Sequence, residues 1–129
     1  MSTTPDLTIY FDGACPLCAR EIAHYLRRDR AGRLAARDIA ADPAPLAPLG
    51  ITQAAAIAAL HVRHADGRVA RGAAAFVAIW ERLPRWRWLA ATLRRVPGAL
   101  ALAEAVYRLV ARHRVRVVRV LCGDGRCAR

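Results

Sequence analysis

Apolar residues change their spacing several times along this chain, and each change marks an element. Leu7-Thr8-Ile9-Tyr10-Phe11 is a short apolar, β-prone run that predicts a buried strand. Asp12-Gly13 ends it, and over 16–28 the spacing becomes helical. Cys18, Ile22, Tyr25 and Leu26 share one predicted face, with Arg20, Arg27 and Arg28 away from it. Pro16 suits the first turn of that helix, where a missing N–H costs nothing. Residues 33–39 predict a weaker strand. The prolines of Asp42-Pro43-Ala44-Pro45-Leu46-Ala47-Pro48 preclude a regular helix and predict a loop. Thr52 is placed to cap a short helix over 53–57.

Residues 58–65 then predict a strand, Asp66-Gly67 a tight hairpin turn and 68–71 the returning strand. Gly72 opens a helix over 73–83, with Phe76, Val77, Ile79, Trp80 and Leu83 as its apolar residues, and Pro84 ends it. Two more helices are expected, at about 86–95 and 99–113, on either side of Pro97-Gly98. Residues 115–121 fit a strand by their β-branched content and a helix by continuity with the segment before them. The tail carries Cys122 and Cys127 around Gly123-Asp124-Gly125.

The order is strand, helix, strand, helix, hairpin, helix, and a Cys-x-x-Cys step follows the first strand. That order predicts an α/β, thioredoxin-like fold: a small central mixed sheet flanked by helices, with extra C-terminal helices. No repeat or interdomain linker interrupts it. The expectation is one domain over 1–129, with a core at about 7–84, a helical elaboration at about 86–121 and a cysteine-containing tail at 122–129.

Composition narrows the chemistry. Hydrophobic residues are 56% of the 129 positions, enough for a core that needs no disulfide scaffold. The cysteines are therefore available for reaction. The formal charge is +11, and every basic residue is Arg. A chain with no Lys reflects coding bias more than a selected nucleic-acid surface, although the charge still attracts anionic partners. Residues 1–6 have neither a basic start nor an apolar stretch, and no uncharged apolar run approaches the roughly 18 residues of a membrane span. The chain reads as cytoplasmic. Thiols stay mostly reduced there, which favours a catalytic or metal-binding Cys-x-x-Cys over a structural one.

Asp12-x-x-Cys15-x-x-Cys18 carries that chemistry. Cys15 falls at the helix start, where unsatisfied backbone N–H groups and the helix dipole favour an anionic sulfur. It is the expected nucleophile. Cys18, one turn in, is the expected resolving thiol, which attacks the mixed disulfide and releases reduced substrate. Asp12, at the end of the strand, is a candidate base for Cys18, or a turn former beside Gly13.

Tyr10-Phe11-Asp12-Gly13-Ala14-Cys15-Pro16-Leu17-Cys18 closely resembles the opening of the thiol-disulfide oxidoreductase DCC family, named for its Asp-x-x-Cys-x-x-Cys motif. Leu60-His61-Val62, Asp66-Gly67-Arg68-Val69 and Gly72-Ala73-Ala74-Ala75 are similar to that family's middle segment. Tyr107-Arg108-Leu109-Val110-Ala111-Arg112-His113-Arg114 is similar to its late segment, with His113 where Asn is usual. The resemblance implies a thioredoxin-like fold and a redox role. Thioredoxins themselves place a cis-proline before a central strand; here the nearest proline ahead of 58–65 is Pro48.

Other groups are weighed against plainer roles. Cys122 and Cys127 are ordinary tail thiols, an auxiliary redox pair, or half of a zinc site with Cys15 and Cys18. His24, His61, His64 and His113 show no metal-ligand spacing and are expected at the surface or the core edge. Arg108, Arg112, Arg116 and Arg119 form one basic stripe if the last helix continues. Trp80, Trp86 and Trp88 are expected to pack helices together. The leading expectation is an enzyme that exchanges disulfides through Cys15 and Cys18, without cofactor or metal. Its partners would be a disulfide-containing protein or a small thiol, and an electron donor the sequence does not name. An anionic membrane or acidic protein is a weaker partner expectation, and no specific nucleic acid is expected. The alternatives are a binding module or redox sensor with structural or metal-binding cysteines, and an Arg-rich adaptor for an anionic surface.

Overall fold

The computed structural model describes residues 5–113. Cys122, Cys127, Arg116, Arg119 and the ambiguous segment 115–121 lie outside the described residues. In chain order the elements are β1 (Leu7–Phe11), α1 (Pro16–Arg28), β2 (Leu34–Asp38), a 3-10 helix (Ala44–Leu49), α2 (Gln53–Ala58), β3 (His61–His64), β4 (Val69–Arg71), α3 (Ala73–Trp80), α4 (Arg87–Arg95) and α5 (Ala99–Arg112).

The strands form one mixed sheet in the order β2-β1-β3-β4. β1 is parallel to β2, with Phe11 opposite Asp38. Parallel neighbours need a crossover, and α1 supplies it. β3 runs antiparallel to β1, with Tyr10 opposite His61, and β4 returns antiparallel to β3. The β3–β4 turn closes through the His64 N–H on the Arg68 carbonyl at 2.8 Å, with Gly67 at a φ of +96°. This is the α/β, thioredoxin-like arrangement with added C-terminal helices that the element order predicts.

Alternation along β1 gives the sheet two faces. Leu7 and Ile9 point to one side and pack with Ile22 and Tyr25 of α1, Val62 of β3, and Ala75, Ala78 and Ile79 of α3. Full burial of a Leu or Ile contributes about 1.5–3 kcal/mol. Tyr10 points to the other side and packs with Ile39, Leu46 and Ala56. The 3-10 helix and α2 thus cover one face, while α1 and α3 cover the other.

The directions of the strands decide where chemistry can sit. The carboxyl ends of β1, β2 and β4 and the amino end of β3 lie together at one edge of the sheet. That edge gathers Asp12, Asp38, Leu60 and Gly72. Ligands of α/β sheets favour the carboxyl ends of parallel strands.

Several expectations need correction. The proline-rich stretch is a 3-10 helix over Ala44–Leu49, because Pro45 stands in the first turn and the i→i+3 pattern tolerates Pro48. The strand read over 58–65 is confined to His61–His64, since α2 continues to Ala58. The helix expected over 73–83 ends at Trp80 and passes into turns before Pro84. Leu26 is exposed, lying about 100° round α1 from buried Tyr25. Trp88 is exposed because α4 buries Ala90, about 200° away, against its neighbours.

Candidate active site

Cys15 is the N-cap of α1, with extended backbone (φ −90°, ψ 114°) and Pro16 following in the first turn. Its N–H donates to the Asp12 carbonyl at 3.1 Å, and its own carbonyl accepts the Ala19 N–H at 2.9 Å, the first helical bond. Cys18 follows one turn later. The two cysteines are close. Cys15 is buried, at 3% exposure, whereas Cys18 is partly open.

Asp12 is buried and anchors the approach to the motif, its Oδ1 accepting the Ala14 N–H at 3.1 Å. Asp38, which the sequence reasoning passed over, does more. Its Oδ1 accepts the Gly13 N–H at 2.9 Å and the Ala40 N–H at 3.0 Å. Parallel pairing brings it there, because Asp38 lies opposite Phe11 in the register. A strand-ending Asp followed by Ile-Ala-Ala was the available signal, legible only once β2 is known to run parallel to β1.

Cys18 opens on a cavity of about 240 Å³. Among the described residues its walls come from four helices far apart in sequence: Leu17 and Glu21 on α1, Ile57 on α2, Phe76 on α3, and Tyr107 and Val110 on α5. The C-terminal helix therefore lines the cavity beside a motif cysteine. Two polar contacts hold it there. The Leu60 N–H donates to the Tyr107 hydroxyl at 2.7 Å, and the Ala73 N–H donates to Glu104 Oε2 at 3.0 Å, capping α3. Gly72 (φ +65°) leaves room for that carboxylate.

Behind the cavity stands an aromatic group. The Tyr25 hydroxyl donates to Glu21 Oε1 at 2.6 Å and accepts the Trp80 Nε1–H at 3.0 Å. Trp80 stacks on Trp86, and Phe76 contacts Tyr107. Burial, then the bond to Glu21, pushes the Tyr25 hydroxyl well above the usual phenol range.

The histidines do not converge. His61 is buried with Nδ1 2.8 Å from the Ala59 carbonyl, His24 accepts from Arg28 Nε at 3.1 Å, and His64 sits beside Arg82 at 3.4 Å. Among the described residues no three His, Cys, Asp or Glu side chains gather as metal ligands. No helix among the described residues is long and apolar enough to cross a membrane.

Comparison with known proteins agrees with the geometry. The family model of the DCC1-like thiol-disulfide oxidoreductases matches residues 9–120. An uncharacterized chloroplastic protein of Arabidopsis thaliana is 28% identical over 114 residues, covering 86% of this chain and 52% of its own length. The chain thus spans about half the length of that relative. No solved structure matches it.

Proposed function

The chain belongs to the DCC1-like thiol-disulfide oxidoreductase family, and from that premise we propose that it exchanges disulfides through a Cys15–Cys18 dithiol couple. The observation that carries this is the placement of both thiols within one turn at the start of α1, one of them opening on a cavity.

In the reducing direction one cysteine, as thiolate, attacks the substrate disulfide. That S–S bond breaks, a mixed disulfide forms, and the departing sulfur takes a proton. The second cysteine then attacks the mixed disulfide. A Cys15–Cys18 bond forms, the second substrate thiol leaves, and two electrons have passed to the substrate. An external dithiol donor restores the reduced pair. Asp12, buried beside the motif, is assigned the proton of the resolving thiol. The substrate is a disulfide-bearing protein or a small disulfide, and the setting a cytoplasm that keeps thiols reduced.

The test is a count of alkylated thiols by intact mass across glutathione redox buffers. It uses protein with Cys122→Ser and Cys127→Ser, with metal content checked in the native chain. The expected result is reversible loss of two alkylation sites at one midpoint, between about −270 and −120 mV. Two thiols that stay reduced throughout, or stoichiometric zinc, would replace the exchange enzyme with a metal-binding or sensing module.

A further inference from the structure

Three arginines line one surface cavity of about 370 Å³ between the end of β4 and the last turns of α5. Arg71 closes β4, and Arg108 and Arg112 stand one turn apart on α5. All three are exposed. Like charges four residues apart on a helix repel each other, and Arg71 adds a third from another element. Among the described residues, Glu104 is the one acid in the cavity wall, and it is already engaged. Its Oε2 accepts the Ala73 N–H at 3.0 Å, and its Oε1 lies 3.8 Å from Arg108 Nε, a long ion pair. Arg71 and Arg112 make no ion pair among the described residues. Residues 114–129 hold five Arg and one Asp, so the rest of the chain adds more positive charge than negative. The carbonyls at the end of α5 favour a cation and account for Arg112 alone. They account neither for Arg71 nor for the hollow that all three surround.

We propose that this cavity is an anion site that binds a phosphate group, as the free ion or as the end of a phosphate monoester. The inference goes beyond the exchange function and does not rest on it, since it uses neither cysteine. Three guanidinium groups facing one carboxylate leave positive charge in excess, and a phosphate group near neutral pH brings close to two negative charges. Arginine presents its N–H donors in a planar fork that meets phosphate oxygens in pairs, through charge-assisted hydrogen bonds. A volume of about 370 Å³ lies in the range of small-molecule sites and exceeds what one ion fills. That leaves room for an esterified group against Ala58, Ala59 and Ala111. The cavity shares Ala58, Tyr107 and Ala111 with the one beside Cys18, so α5 forms a wall of both.

The experiment is calorimetric titration of the full chain, kept reduced, with inorganic phosphate and separately with phenyl phosphate. Sodium chloride holds the ionic strength fixed, so the general attraction of a +11 chain stays constant. One saturable site is expected for inorganic phosphate. Arg71→Gln, and Arg108→Gln combined with Arg112→Gln, are each expected to weaken it by about tenfold. A control chain with Arg27→Gln, Arg30→Gln and Arg85→Gln loses three exposed charges elsewhere. It is expected to bind within about twofold of the native chain, because distant exposed charges are screened. Every substituted side chain is exposed, and circular dichroism checks that each variant is folded. Phosphate is also expected to raise the thermal midpoint of the native chain and to leave that of the Arg108→Gln, Arg112→Gln variant unmoved. Tighter binding of phenyl phosphate assigns the rest of the cavity to an esterified group, and equal binding assigns the site to the free ion. Absence of saturable phosphate binding overturns the proposal. Indifference to Arg71→Gln does the same, as does a control chain that loses as much affinity as the Arg108→Gln, Arg112→Gln variant.

Discussion

The carboxylate of Asp38 occupies the space that a side chain on Gly13 would need. A Cβ built on Gly13 overlaps Asp38 Oδ2, while Asp38 Oδ1 holds the Gly13 N–H at 2.9 Å. The approach to Cys15 is thus fastened to the end of β2 by a contact that only glycine permits.

Gly13→Ala is therefore expected to destabilise the fold by about 1–3 kcal/mol, the usual cost of overpacking. Asp38→Ala removes the obstacle as well as the bond. The double variant should show a coupling of about 0.5–3 kcal/mol in urea unfolding. Strict additivity of the two changes would mean that the residues do not share this contact.

Asp12→Asn keeps the shape of a buried side chain and removes its basicity. If Asp12 takes the proton of the resolving thiol, release of a preformed mixed disulfide should slow by about a hundredfold, as for loss of a general base. Rapid-quench mass spectrometry of the mixed disulfide measures this, and wild-type release would leave Asp12 a turn former only.

Tyr107→Phe takes the acceptor from the Leu60 N–H, which is otherwise held at 2.7 Å. A backbone donor left unpaired costs about 1–3 kcal/mol. The loss should appear in the thermal midpoint. It should also loosen the cavity wall, read as faster alkylation of Cys18.

His64 should titrate below its ordinary 6.5, because burial disfavours its charged form and Arg82 and Arg68 repel it, against weaker pulls from Asp66 and Glu81. A depressed folded midpoint means that the unfolded chain binds more protons just below 6.5. The stability at stake is intact above that pH and falls as pH drops through 6.5 toward the folded midpoint. Proton NMR of the imidazole gives that midpoint, and Arg82→Met should move it up toward 6.5. An unmoved His64 would exclude Arg82 as a cause.

The sequence disclosed the motif's surroundings because they are local. A five-residue apolar run, a Pro in the first turn and Thr52 capping α2 through its Oγ1 at 3.1 Å are all decided by near neighbours in the chain. Asp38, Glu104 and Tyr107 were hidden because their partners, Gly13, Ala73 and Leu60, lie 25, 31 and 47 residues away. Nothing in the spacing of a helical Tyr or Glu distinguishes a surface role from a strut. The same limit explains Trp88 and Leu26, where helical periodicity gives the stripe but not its width.

The Tyr107–Leu60 strut also bears on the birth of the protein. Synthesis runs from the N-terminus, so the strand, the motif and α1 exist well before α5 has been made. Closing a 47-residue loop by one hydrogen bond and a cavity wall comes late in folding as well. Until it closes, Cys18 lacks the wall that Tyr107 and Val110 provide. A newborn chain consequently displays its thiol to any oxidant before the wall that α5 supplies is in place.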